Sequence, residues 1–345
     1  MSDEGEIVVP YEFDRAKVWG KVKDRKLVFL DTMVWINMSE AESKGLPEAQ
    51  SVREKLKEGV RSGRIICPLS ATLIWELYKQ EHSALRTGAL MEELSLNVCF
   101  ASSDEVFEWE VERFAKKLAG REDDRCSREM LFVPVTGYLS SYYTLTFPAG
   151  TPDESVQLCG RVAAERAHAR TLTELLKLRG GEMREYMKNM EVKPFQHHAL
   201  QYRELAKGDR SKVWRIEEET IFKLYVLPAM KRLPPALKLH LLQFALNAPK
   251  DKYGGCLPSL LPELPAIHNH IEVMTRSTED PNRKDRPNDF FDLDMMPVSL
   301  AYADAFVSFD RWVRERFLKT GVKPARIACE FCSTYAELAG WLDRL

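Results

Sequence analysis

The chain has 345 residues, 45% of them hydrophobic and 30% charged, an ordinary soluble globular make-up with enough length for one or two domains. Fifty basic residues against 52 acidic ones leave a net charge of −2, so overall charge points to neither nucleic acid nor membrane, and only local patches could carry such binding. No run approaches the ~18 apolar residues of a membrane span; the acidic start MSDEGEIVVPYEFD lacks a signal-peptide core, and seven scattered cysteines fit a reducing, cytoplasmic setting.

Residues 1–25 read as an arm with one edge strand at 6–10. KLVFL at 26–30 is a strand apolar enough to be covered on both faces, and it ends in Asp31. A helix follows at 48–61, then a short strand at 65–67, then a helix at 71–82 whose start carries Pro68 and the candidate cap Ser70. From about 100 to 275 the character changes to long charged-amphipathic stretches at 103–120, 154–190 and 196–226, with a further helix at 233–249. The aromatic residues spaced through 103–118 read as core. The end returns to alternation: a helix at 289–303 that Pro297 should kink or split, a strand at 304–310, a helix, a strand at 325–331 and a final helix. Strand–helix alternation of this kind predicts a parallel sheet.

Two of these strands are built alike. VFLD ends in Asp31 and FVSFD ends in Asp310. Adjacent parallel strands would bring both acids into one crevice at the carboxyl edge of the sheet. The competing reading of Asp31 is a helix cap, a role that Thr32 could also fill. Asp292 lies at the start of the helix before the second strand, and Glu76 lies in a helix after another strand. Converging carboxylates repel one another and shift their pKa values. A divalent cation relieves that repulsion, and an oxygen-only donor set suits Mg²⁺ or Mn²⁺.

The four motifs LDTMVW, LIWEL, FFDLD and FVSFD, in this order, resemble the PIN domain, a metal-dependent ribonuclease fold. The family pattern is strand-Asp-Thr/Ala/Ser, a helix with Glu, Asp opening a helix, then strand-Thr/Ser-x-Asp. The 18 residues from Asp292 to Asp310 match the spacing common in the family, and Ser308 stands at its hydroxyl position. The stretch RPNDFFDLDMM with YADAFVSFD also resembles a bacterial subset of larger PIN-like proteins. The resemblance covers 26–100 and 285–345, which would form one discontinuous α/β domain, a PIN-like parallel sheet flanked by helices. The 216 residues between Glu76 and Asp292 then require a large, mainly α-helical insertion over 101–284. The implied activity is divalent-metal-dependent endoribonuclease cleavage of RNA, with Asp31, Glu76, Asp292 and Asp310 holding the metal and Ser308, Thr32 and Asp289 supporting them. Asp289 could equally cap the helix. Asp304, about six residues and roughly 20 Å of strand from Asp310, reads as structural, and Asp294 as a solvated helix residue.

Phosphate binding also needs cations. Arg203, Lys207, Arg210, Lys212 and Arg215, with Tyr202 and Trp214 for stacking, form one candidate RNA-binding patch; Arg283, Lys284 and Arg286 form another. Either could be a solvated face. His197, His198, His268 and His270 lack ligand partners at metal spacing and read as surface or core, and Cys329 and Cys332 read as buried thiols near a strand end. Two alternatives stay open. One is a PIN-like binding or scaffolding module whose insertion meets a protein partner; for a toxin-type nuclease that partner would be a cognate inhibitor. The other is a different acid-rich phosphoryl-transfer hydrolase, disfavoured because a haloacid-dehalogenase-like enzyme wants a second Asp where Met33 stands.

Overall fold

The computed structural model describes residues 5–8, 13–80, 82–121, 128–135, 144–147, 154, 171–174, 176–177, 209–249, 257–278, 289–311, 313 and 329–345. Within these, the side chains of 5–8, 144–147, 210, 257–258, 277–278 and 289–295 lie outside the description.

The sheet grows from the strand the sequence predicts. β2 (Lys26–Leu30) is buried along its last four residues. It pairs in parallel with β3 (Ile65–Ile66) on one side and with β7 (Ala305–Val307) on the other. Beyond β7 lies β8 (Glu330–Cys332), also parallel. On the far side of β3, Leu69 forms a parallel bridge to Cys99 of β4 (Val98–Phe100), with the Leu69 amide donating to the Val98 carbonyl at 3.0 Å. The order is therefore β4, β3, β2, β7, β8. Sequence order runs outward in both directions from β2, so the order reverses between β2 and β7. A crevice opens at the carboxyl ends of strands at such a point. β4 also pairs antiparallel with β5 (Phe132–Pro134). The arm strand β1 (Gly5–Val8) pairs antiparallel with β6 (Thr144–Phe147), at a slightly earlier position than the 6–10 expected.

In-register pairing stacks aromatic rings across the sheet. Phe29 lies 5.4 Å from Phe306, and Phe306 lies 5.8 Å from Phe331, centroid to centroid. The row continues the other way through Phe100 and Phe132 to Trp19. Aromatic neighbours at this spacing add to plain area burial.

Helices flank the sheet. α1 (Arg15–Gly20) packs on β5. α2 (Thr32–Ser39) leaves β2 directly. α3 (Pro47–Arg61) buries Ala49, Val52, Leu56, Gly59 and Val60, one face at helical spacing. A Cβ on Gly59 would stand 2.8 Å from the Ile65 side chain, so this glycine lets α3 lie close to β3. α4 (Ala71–Lys79) is capped by Ser70, whose hydroxyl accepts from the Leu73 amide. α5 (Ala84–Ser95) leads into β4. The last helix, α11 (Tyr335–Leu342), packs on α3 and is tied to it by Lys55 and Asp343 at 2.6 Å.

The helical region joins the same core. α6 (Ser103–Leu118) opens with a capping box of Ser102 and Glu105 and buries Phe107, Trp109 and Phe114. α7 (Arg210–Ile221) runs through a π-helical turn at Phe222–Val226 into a last segment, Leu227–Arg232. α8 (Pro235–Asn247) packs on α6, with Phe244 edge-on to Phe114 at 5.1 Å. α9 (Pro265–Thr278) packs on α6, on α7 and on α10 (Asp289–Tyr302). α10 in turn reaches α4 and α6. Pro297 neither ends nor splits α10, which is one helix through it. A single cluster of buried side chains runs from Val28 in β2 to Leu237 in α8 and Ile267 in α9. No helix among the described residues is long and apolar enough to cross a membrane.

Candidate functional site

Asp31 occupies the N-cap position of α2, with extended backbone (φ −64°, ψ 156°), yet its carboxylate makes no capping hydrogen bond. It faces the neighbouring strand as well as the Thr32 and Met33 amides at the head of α2. The Ser308 hydroxyl donates to Asp31 Oδ2 at 2.6 Å, and the Asp31 amide donates to the Val307 carbonyl at 2.9 Å. Ser308 is fully buried and Asp31 is 5% exposed. The same hydroxyl accepts from the Asp310 amide at 3.2 Å, so one side chain fixes both strand ends. Asp310 itself is exposed at the mouth.

Thr32 carries the contact to the third acid. Its hydroxyl donates to the Glu76 carboxylate, and both residues are buried. Asp31 and Thr32 thus face opposite partners from adjacent positions at the head of α2.

The electrostatics follow from this crowding. Burial pushes the Asp31 pKa above the ordinary carboxylate range; the Ser308 hydrogen bond and the Thr32 and Met33 amides pull it down, and the Asp310 charge raises it. Burial likewise raises Glu76; Thr32 opposes, the Asp31 charge adds to the rise, and Lys79 draws it down. Asp31 is therefore coupled to Asp310 on one side and to Glu76 on the other. Among the described residues, neither Asp31 nor Glu76 forms an ion pair with Lys or Arg. Burying carboxylates away from water is costly unless hydrogen bonds or charges compensate, here Ser308 for Asp31 and Thr32 and the Lys79 charge for Glu76.

Asp292 lies in the first turn of α10, which begins at Asp289, three residues earlier. The side chains of Asp289, Asp292 and Asp294 lie outside the described residues. The backbone path still matters: α10 packs against α4, the helix that carries Glu76. Among the described residues, no three His, Cys, Asp or Glu side chains gather closely enough to hold a metal ion.

Asp304 stands at the opposite end of β7. Its carboxylate accepts from the Leu27 amide at 2.8 Å and from Lys26 at 2.8 Å, so it closes the amino edge of the sheet. Of the first basic patch, Lys212 and Arg215 lie exposed on α7 and pair locally with Asp209 and Glu219. Arg203, Lys207, Arg283, Lys284 and Arg286 lie outside the described residues, as do His197 and His198. His270 is partly buried and edge-on to Phe107, and His268 is edge-on to Trp214, which is core packing. Cys329 and Cys332 are free thiols, and burial pushes the Cys332 thiol up to about 12.

Comparison with protein-family models, curated proteins and solved structures finds no match to this chain.

One carboxylate escaped sequence reading. Glu110 on α6 is fully buried. It accepts from the Ala266 amide at 2.7 Å and the Ile267 amide at 3.1 Å, capping α9 from another helix, and it also accepts from the Tyr302 hydroxyl. The only hint in the sequence is an acid flanked by Trp109 and Val111 on an otherwise apolar helix face.

Proposed function

We propose that this chain is a divalent-metal-dependent nuclease with a PIN-like domain, hydrolysing RNA phosphodiester bonds. The observation that carries the reading is the Asp31 carboxylate. It is buried at the strand-order reversal and is held by Ser308 of the adjacent strand in electrostatic contact with two further acids. An RNA substrate rests on the motif resemblance, since the acids alone suit any phosphodiester.

The donor set fits Mg²⁺ or Mn²⁺. It is all carboxylate oxygen, and two of its members are buried. Asp31, Asp310 and Asp292 would hold the ion, with Glu76 joining directly or through water. A bound ion supplies charge neutralisation at the phosphate and a more acidic water. Ser308 orients Asp31 by donating to one oxygen. Thr32 does the same for Glu76. No histidine base is required.

A second reading, a PIN-like binding module without catalysis, predicts RNA or protein binding without metal-dependent cutting. Cleavage of mixed single-stranded and structured RNA separates the two. Mg²⁺- or Mn²⁺-dependent cutting, abolished by EDTA and lost in Asp31→Asn and Asp310→Asn, supports the nuclease. No cutting by the unaltered protein across metals and substrates favours the binding module.

A further inference from the structure

We infer that Phe309 and Tyr335 form a stacking platform that positions the nucleobase next to the phosphate held at Asp31 and Asp310; this rests on the nuclease reading above. The three strand ends lie side by side. β2 delivers Asp31, β7 delivers Ser308, Phe309 and Asp310, and β8 delivers Ser333, Thr334 and Tyr335. Adjacent strands are spaced by about 4.8 Å. The aromatic pair therefore sits roughly one strand farther along the same edge than the acids, an offset that a single nucleotide spans between its phosphate and its base.

The side chains are arranged as a platform should be. Phe309 stands between Ser308 and Asp310, and its ring meets the Tyr335 ring edge-on, centroids 4.6 Å apart at 78°. Both residues are half-buried. The Tyr335 hydroxyl is buried, turned inward toward Asn37, so the part of Tyr335 left accessible is ring surface rather than its polar tip. That is the reverse of the usual tyrosine arrangement, in which the hydroxyl reaches water. Thr334 caps α11 by accepting from the Glu337 amide, which fixes the turn that presents Tyr335. Met33, 54% exposed on the first turn of α2, adds apolar surface beside Asp31. Every base has a π-face, so such a pair recognises an unstacked base with little sequence preference.

The test uses a short single-stranded oligoribonucleotide carrying one 2-aminopurine, whose fluorescence is quenched by stacking. Binding is followed with Ca²⁺ and cleavage with Mg²⁺, for the full chain and for Phe309→Leu, Tyr335→Leu and Phe309→Trp. Leucine keeps apolar volume for packing but has no π-face, so a merely structural aromatic tolerates it. The platform predicts quenching by the unaltered protein and by Phe309→Trp. It predicts lost quenching and about tenfold weaker binding for each leucine variant, with KM rising and kcat nearly unchanged. Unchanged quenching and KM in Phe309→Leu and Tyr335→Leu would overturn it, as would absence of binding by the unaltered protein. Quenching that depends on Phe309 without any cleavage would keep the platform and sink the nuclease reading instead.

Discussion

The Ser308 hydroxyl donates to Asp31 across the β2–β7 boundary at 2.6 Å, where the strand order of the sheet reverses. That bond opposes the pKa rise that burial imposes on Asp31. Ser308→Ala should therefore raise the Asp31 pKa further. Metal-supported chemistry needs Asp31 ionised, so activity is lost as pH falls through its raised pKa. The acid limb of the pH–rate profile should move to higher pH in Ser308→Ala, with the alkaline limb unmoved. An unchanged acid limb would show that Asp31 is not the group titrating there.

Asp31→Asn separates stability from function. A carboxyl whose folded pKa lies above its unfolded value loses stability as pH rises past the unfolded value, so ionised Asp31 is a cost to the metal-free fold at neutral pH. Asparagine can still accept from Ser308 and carries no charge. The variant should melt higher by about 1–2 °C without metal, the shift that about 1 kcal/mol gives a chain of 345 residues. It should also be inactive. Differential scanning calorimetry in EDTA reads the first effect, and a lower melting temperature would contradict it.

Glu110 ties α6 to the start of α9 and, through Tyr302, to the end of α10. Glu110→Ala leaves two buried amides and a hydroxyl without an acceptor, at a cost of about 2–4 kcal/mol. The sign of the pH effect is fixed as well. Burial pushes Glu110 up to about 7, above the 4.5 of an ordinary glutamate, so its contribution is most favourable below 4.5 and declines as pH rises toward 7. Relative to Glu110→Gln, the unaltered protein should lose urea resistance between pH 5 and pH 7.5. Parallel curves for the two proteins would refute this.

The stretch at 171–177 docks on α5. Leu176 is buried against Gly88 of α5, where an added Cβ would stand 2.5 Å from its side chain, and Thr173 donates to Glu92 on the same helix. Leu176→Ala should cost about 2–4 kcal/mol, the range for a buried leucine. Gly88→Ala should cost about 1–3 kcal/mol by overpacking. In the double variant the new methyl occupies space vacated by Leu176, so the combined loss should fall short of the sum. Denaturant midpoints of all four proteins give the coupling, and strict additivity would place Leu176 elsewhere.

How legible this was depends on sequence distance. The apolar run of β2 was readable as a doubly covered strand, while its terminal Asp31 read as helix cap or site until the other acids were set beside it. Ser308 was readable through its place two residues before Asp310. The structure supplies what neither motif could: that the Ser308 hydroxyl bonds Asp31 on the adjacent strand. β4 and α5 were not read, because three residues of strand and a helix with weak periodicity leave little pattern. Glu110 was not readable either, since the amides it caps lie 156 and 157 residues away. The Phe309–Tyr335 pair likewise exists only once β7 and β8 are adjacent.

The central claim is that these carboxylates hold a metal, and it can be measured without knowing the substrate. Isothermal titration calorimetry of Mn²⁺ into the metal-free chain, alongside Asp31→Asn, Asp310→Asn and Asp292→Asn, reads it directly. Saturable binding of one or two ions, weakened at least tenfold in each variant, is the predicted result. Absence of binding to the unaltered chain, or binding indifferent to all three substitutions, would contradict the account.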